Sequence, residues 1–292
     1  MKPVAFEYCR PETVAEALSL LQEFGSDASV LAGGMSLGAM LNMRLVRPAA
    51  VVDIKRVAGL DAVTINSRGE TRTGATLRQA AALANRDLMQ AVPLLALALP
   101  SVGHYQTRNR GTLGGSVAHA DPSSEIPLAL TTLGGAIELQ SKRGGKRRVA
   151  AEEFFRDILT TSREPDELLV ALIWPGRKPE AGYAFAEIAQ RHGDFAIVAC
   201  AAEAVLKPDG SLASLGFGLG GVESRPLVAN TAAFVGKRAD AGLAAQIALT
   251  TAKAVSPMSD FKATADYRRA LIEALGTQVL TQAFERAGKS ST

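Results

Sequence analysis

Two Gly-Gly steps far apart in the chain, Gly33-Gly34 and Gly114-Gly115, constrain this sequence more than any other feature. Each is followed closely by a hydroxyl residue, Ser36 or Ser116. Without a Cβ, consecutive backbone N–H groups can turn to one side. Beside a helix N-terminus such a nest attracts an anion, usually phosphate. Ala32-Gly33-Gly34-Met35-Ser36 reads as the end of a strand, a turn and the start of a helix at Leu37. Ser36 either caps that helix or donates to phosphate, and a plain tight turn with an N-cap is the competing reading. Arg108 to Ser116 carries three glycines and two hydroxyls in nine residues and reads as a Gly-rich loop around Gly111, Thr112, Gly114, Gly115 and Ser116. Two such segments suit a ligand with two neighbouring phosphates, whose oxygens backbone amides can meet without a metal. Two unrelated turns are the alternative.

The elements around these segments alternate. Thr13 and Glu16 form a capping box ahead of a helix ended by Gly25. Strand patterns at 4–8, 29–32 and 51–54 flank that helix and a short one at 37–45, so residues 1–55 read as a β-α-β-α-β lobe. From 56 to 176, strands at 63–75, 136–140, 147–149 and 168–174 surround helices at 77–85, 90–99 and 126–133, which gives a second lobe. A linker at 176–182 leads to a C-terminal region, 177–292. It holds strand runs at 183–190, 196–206 and 212–220, a turn at Pro208-Asp209-Gly210, and helices at 226–236, 240–255 and 264–287. Thr264 and Asp266 are alternative caps for the last helix, and the polar tail from Gly288 is expected to fray. The fold class is therefore α+β.

Composition removes several functions. The chain has 292 residues, 47% hydrophobic and 21% charged, too apolar for a disordered chain. A net charge of +3 is weak evidence for nucleic acid or an anionic membrane. Cys9 and Cys200 cannot make a disulfide framework or hold an iron–sulfur cluster within the chain, and His104, His119 and His192 are too scattered for a metal site. No apolar run reaches the roughly 18 residues of a membrane span. A soluble cytoplasmic protein is expected, with no metal ligands and no catalytic nucleophile of its own.

Other candidates divide between site and scaffold. Asp121-Pro122 ends a turn before the 126–133 helix, with Glu125 near its positive end or hydrogen-bonded to a ligand. His119 reads as structural. Gly193-Asp194 interrupts two strands, and Asp194 and Phe195 either face a cofactor or form a hairpin turn. Gly216 to Gly221 matches G-x-G-x-x-G literally, but no helix begins directly after it, so glycines in a strand are the better reading than a dinucleotide site. Lys142-Arg143 and Lys146-Arg147-Arg148 read as a solvated hairpin tip.

Together these segments resemble the FAD-binding medium subunit of molybdenum hydroxylases, the carbon monoxide dehydrogenase and xanthine dehydrogenase group. The resemblance spans essentially the whole chain. It rests on Ala32–Ser36 followed by Arg44-Leu45-Val46-Arg47-Pro48, on Arg108–Glu125, on Arg191–Ala196, and on Ser259-Asp260 with Tyr267-Arg268-Arg269. It implies a vanillyl-alcohol-oxidase-type (PCMH-type) FAD domain of two lobes, then a C-terminal domain with a three-stranded antiparallel sheet and helices. It implies that Ala32–Ser36 and Thr112–Ser116 hold the FAD pyrophosphate, with Leu37 and Gly111 also binding the cofactor, that Glu125 and Leu169 lie near the flavin, and that Asp194 and Phe195 approach its ring. Met35 stands where the family usually has Gln. The resemblance further implies a heterohexamer, a dimer of heterotrimers. A large subunit would bind the molybdopterin cofactor, a small one two [2Fe-2S] clusters, and this chain would pass electrons through FAD to an external acceptor. The alternatives are a scaffold of the same fold that has lost FAD, and an NAD-dependent dehydrogenase using Gly216–Gly221.

Overall fold

The computed structural model describes residues 2–290. Its first lobe is a three-stranded parallel sheet ordered Glu7–Cys9, Ala50–Asp53, Ala28–Leu31. Helix Val14–Phe24 buries Ala17, Leu18 and Leu21 on it, the face that its helical spacing specifies. Thr13 caps this helix by accepting from the Glu16 amide at 3.2 Å. The reciprocal bond differs from a capping box, because the Glu16 carboxylate accepts from the Glu12 amide.

The second sheet is antiparallel, ordered Val63–Ile65, Thr71–Gly74, Leu168–Trp174, Ala136–Ser141, Gly145–Ala150. Its central strand, Leu168–Trp174, is buried along its whole length, which is why it reads as an unbroken apolar run. Leu168 and Val170 join the core of the first lobe, while Leu169, Leu172 and Trp174 join the central core. Strict alternation would send Leu172 and Trp174 to the same side as Leu168. A bulge between Leu169 and Ala171 reverses the parity. The Trp174 indole N–H is satisfied by Thr73 Oγ1 at 3.0 Å.

The third sheet is ordered Ala181–Ile188, Val198–Leu206, Leu212–Gly220, Leu227–Val228, all antiparallel. Helices Ala241–Ala254 and Ala265–Ser290 cover one face. Against the other face packs Glu125–Thr132, a helix buried at every position. Gly216, Gly218 and Gly220 share that face by their spacing of two. A Cβ on Gly216 would stand 2.7 Å from the Thr132 carbonyl oxygen. The G-x-G-x-x-G string is thus a small-residue seat for a helix in an antiparallel sheet, and the dinucleotide reading fails.

Four expectations are corrected. The Arg108–Ser116 segment is helix Tyr105–Arg110, then Gly111-Thr112, then helix Leu113–His119. Thr112 caps the second helix by accepting from the Gly115 amide at 3.0 Å, and packing overrides the poor helix propensity of glycine. The 90–99 helix is divided into Arg86–Ala91 and Pro93–Ala98, because Pro93 has no N–H to continue the first. The 226–236 helix is replaced by the two-residue strand Leu227–Val228 and a 3-10 turn at Ala232–Phe234, since Leu227 pairs with Leu219 to extend the sheet to four strands. The last helix is capped by Thr264 and continues to Ser290 without fraying at Gly288, while positions 291–292 lie outside the described residues. The basic hairpin is also less free than its charge suggested: Arg147 grips Glu167 through two nitrogens, and Arg148 reaches Glu70.

Candidate functional site

Strand Ala28–Leu31 delivers Ala32 and Gly33 to the edge of a cavity of about 720 Å³, within the range of roughly 300–1,000 Å³ common for cofactor sites. Gly34 turns the chain with φ of +74°, a conformation that needs glycine. The amides of Gly33, Gly34, Met35, Ser36 and Leu37 donate to no acceptor among the described residues. All five belong to the cavity wall, as does Ala32. They form an uncommitted nest of donors suited to an anion. The Ser36 side chain makes no capping bond.

The second glycine segment lies directly against the first. A Cβ on Gly33 would meet the Arg110 carbonyl and stand 2.8 Å from Gly111 Cα, so the two backbones touch because residue 33 has no side chain. Gly111, Thr112, Gly114, Gly115 and Ser116 line the same cavity. Most amides here are otherwise engaged: that of Gly111 bonds Thr107, those of Leu113 and Gly114 bond Leu77 and Ala75, and those of Gly115 and Ser116 bond Thr112, while the Thr112 amide donates to no acceptor among the described residues. This segment therefore differs from the expected second nest. It offers the Thr112 and Ser116 hydroxyls as donors, and Gly114 serves packing, with its Cβ direction 2.6 Å from the Ala75 backbone.

Glu125, Leu169, Asp194 and Phe195 complete the predicted set on the same wall. Leu169 stands at the parity-reversing bulge. Phe195 is 47% exposed, with Lys262 Nζ 5.8 Å from its ring centroid. Glu125 is 4% exposed at the first turn of its helix. Burial pushes its carboxyl up to about 7, a hydrogen bond to its own amide opposing and the charge of Asp121 adding. His119, also on the wall, is pushed down by burial against the pull of Asp121, which favours a neutral ring.

Several wall residues carried no sequence signal. Gln79 Oε1 is buried beside Gly111 with no partner, an acceptor waiting for a donor from outside the chain. Leu159 holds φ of +52° and donates its amide to Ala120, itself at φ +55°. Arg163 and Glu167 sit in an irregular turn, where Arg163 donates to the carbonyls of Glu164, Pro165 and Glu167. Burial raises Glu167, but Arg147 and the Glu164 amide outweigh it and hold it below its ordinary value. A dinucleotide with a flavin ring fits these groups: a free amide nest and two hydroxyls for a diphosphate, an orphan acceptor, and apolar walls.

The comparisons with known proteins agree. The FAD binding domain in molybdopterin dehydrogenase matches residues 4–177, and the CO dehydrogenase flavoprotein C-terminal domain matches residues 183–283. The chain is 40% identical over 196 residues to caffeine dehydrogenase subunit beta of Pseudomonas sp. (strain CBB1), covering 67% of this chain and 66% of that protein. It is 33% identical to the carbon monoxide dehydrogenase medium chain of Afipia carboxidovorans, covering 98% of each. A chain of carbon monoxide dehydrogenase from Hydrogenophaga pseudoflava superimposes with a TM-score of 0.93 at 30% identity, covering 98% of this chain and 99% of that one.

Proposed function

Because this chain belongs to the FAD-binding medium subunits of molybdopterin dehydrogenases, it is an oxidoreductase subunit, and we propose that it takes electrons from [2Fe-2S] clusters of a small partner subunit onto FAD and passes them to an external acceptor. The substrate would be oxidised on a large molybdopterin-binding subunit, and two such heterotrimers would pair. A division into lobes 1–55 and 56–176 and a C-terminal domain 177–292 is part of this reading, and the break between the two family-model spans, 4–177 and 183–283, supports its last boundary.

The observation that carries this reading is the contact of Gly33 with Arg110–Gly111, which sets five free amides opposite two hydroxyls in one cavity. The amides of residues 33–37 would hold the diphosphate, and the Thr112 and Ser116 hydroxyls would donate from across the cleft. Gln79 would accept from the nucleotide. Glu125, Leu169, Asp194 and Phe195 would bound the ring and limit its exposure to water. Bound FAD supplies the step between paired and single electrons that such a relay requires. The full chain, purified and scanned for flavin absorbance, should carry about one FAD per chain; a colourless, correctly folded chain that takes up no added FAD would leave the scaffold reading instead.

Two variants refine the site. Met35 is 41% exposed at the cavity edge, and its amide is free to bind whatever its side chain does. Met35→Gln should therefore tighten FAD by no more than roughly tenfold, the worth of one neutral hydrogen bond. A larger gain, measured by equilibrium dialysis, would mean that the side chain governs binding. Phe195→Ala should leave FAD content intact while raising iodide quenching of flavin fluorescence and the reoxidation rate. Unchanged quenching would remove Phe195 from the ring contact.

A further inference from the structure

The cavity has two unlike ends, and contacts along its wall give their order. Phe195 stands at one end, half exposed on the turn that follows strand Ala181–Ile188. A Cβ on Gly193 in this turn would lie 2.7 Å from the His104 ring, and one on Gly103 would lie 2.9 Å from Thr107. The Thr107 carbonyl accepts from the Gly111 amide, and Gly111 touches Gly33 at the start of the free amides. From there Ala32 leads back into strand Ala28–Leu31, where Ala28 and Val30 pack in the apolar cluster that holds Leu168. The amide nest therefore lies between the Phe195 turn and the junction of the first two lobes. Ala28, Val30, Ile54 and Leu168 make that junction an apolar end of the cavity.

Arg163 stands at this inner end. Its Nη1 donates to the Glu164, Pro165 and Glu167 carbonyls at 2.9, 3.3 and 2.6 Å, the last of them next to Leu168. The turn that offers these carbonyls is itself fixed. Glu167 accepts from the Glu164 amide at 2.8 Å and from Arg147, which also reaches the Ser162 carbonyl. The Glu167 carboxylate is thus spent and makes no bond with Arg163. Nε and Nη2 of Arg163 donate to no acceptor among the described residues, and neither is sealed within the protein. A guanidinium is planar, rich in donors and charged at any working pH. Pinned through one nitrogen, it keeps its other edge for the cavity that it lines, and the fold meets the ordering cost before a ligand arrives.

We propose that Arg163 grips the adenosine half of FAD, with Nε and Nη2 donating to ring nitrogens or sugar oxygens there, and so selects FAD over FMN. This rests on the FAD reading above. With the diphosphate on the central amides and the flavin ring toward Phe195, the adenosine is the half left for the end between the lobes. Its base suits the apolar walls, and its face and edge both suit a guanidinium.

The test compares FAD with FMN, which lacks the adenosine half. The full chain, freed of flavin, is titrated with each by fluorescence quenching, and the midpoint potential of the FAD-loaded chain is measured. Arg163→Met should weaken FAD by roughly 10- to 100-fold, the worth of hydrogen bonds from a charged donor. FMN affinity should stay within about twofold, and the midpoint potential should not move. Arg163→Lys keeps the charge without the fork and should fall between the two, again for FAD alone. It carries the test if methionine leaves the carbonyls of the turn too poorly met for the chain to fold. Equal weakening of FAD and FMN would mean that the turn has collapsed or, with a shifted potential, that Arg163 faces the ring, and either overturns the assignment. Unchanged FAD affinity in both variants, beside a wild type that binds FAD tightly, overturns it and leaves the proposed function standing. A wild type that takes up neither nucleotide overturns both.

Discussion

Gly33→Val is expected to strip the chain of flavin while leaving it folded. The new Cβ would meet the Arg110 carbonyl and stand 2.8 Å from Gly111 Cα, and neither backbone atom can rotate away. The two segments must part, and the free amides of residues 33–37 then move out of reach of whatever the Thr112 and Ser116 hydroxyls hold. Overpacking of this kind costs about 1–3 kcal/mol. If the cost falls on the bound state, FAD weakens by roughly 5- to 150-fold at 1.4 kcal/mol per decade. Dialysis against apo-protein should show the loss, with Tm lowered by only a few degrees. Gly114→Val is the contrasting control. Its side chain would strike the Ala75 backbone at 2.6 Å, on the packing side of its helix, so it should lower Tm sharply. Full FAD occupancy in a folded Gly33→Val chain would refute the two-lipped site.

Arg268→Met should cost about 3–5 kcal/mol of stability, the usual consequence of removing one partner from a buried charged network. Arg268 is 3% exposed and ties three strands of chain together. Its guanidinium donates to the Ile197 and Gly221 carbonyls and, at 2.8 Å, to Asp260 Oδ2. Methionine fills the volume but leaves two buried carbonyls unmet. Urea unfolding with an unchanged m-value would measure the loss. Arg268→Lys should recover only part of it, since an ammonium cannot span the same fork. A loss below 1 kcal/mol would mean that water or a neighbour replaces these bonds. Because Ile197 and Gly221 bracket the approach to Asp194 and Phe195, the same variant should loosen that turn and raise flavin exposure.

Much of this was legible in the residues. Leu168–Trp174 declared itself because both its faces are buried, and Thr13 announced its helix through a cap that needs no tertiary help. Ser259-Asp260 and Tyr267-Arg268 marked the family, and the Asp260–Arg268 ion pair shows what they do. The helix at Leu113–His119 was hidden, since its glycines disfavour a helix and only the seat on Ala75 and the Thr112 cap stabilise it there. Ala232–Phe234 misled in the other direction, because edge pairing at Leu227 outweighed local helical preference. All fifteen expected wall residues came to one cavity, yet the division of labour between amides and hydroxyls did not show in the sequence, where both segments look alike. Gln79 and Arg163 had no local mark.

The bulge at Leu169–Ala171 makes one strand a party wall between two interiors. Its side-chain rows are keyed to opposite rooms, so the first lobe cannot swing like a door on the second without unseating Leu168 and Val170. The aperture through which the ring must enter is then a built dimension, and trimming Val170 on the far side of the wall would alter the fit of a guest it never touches.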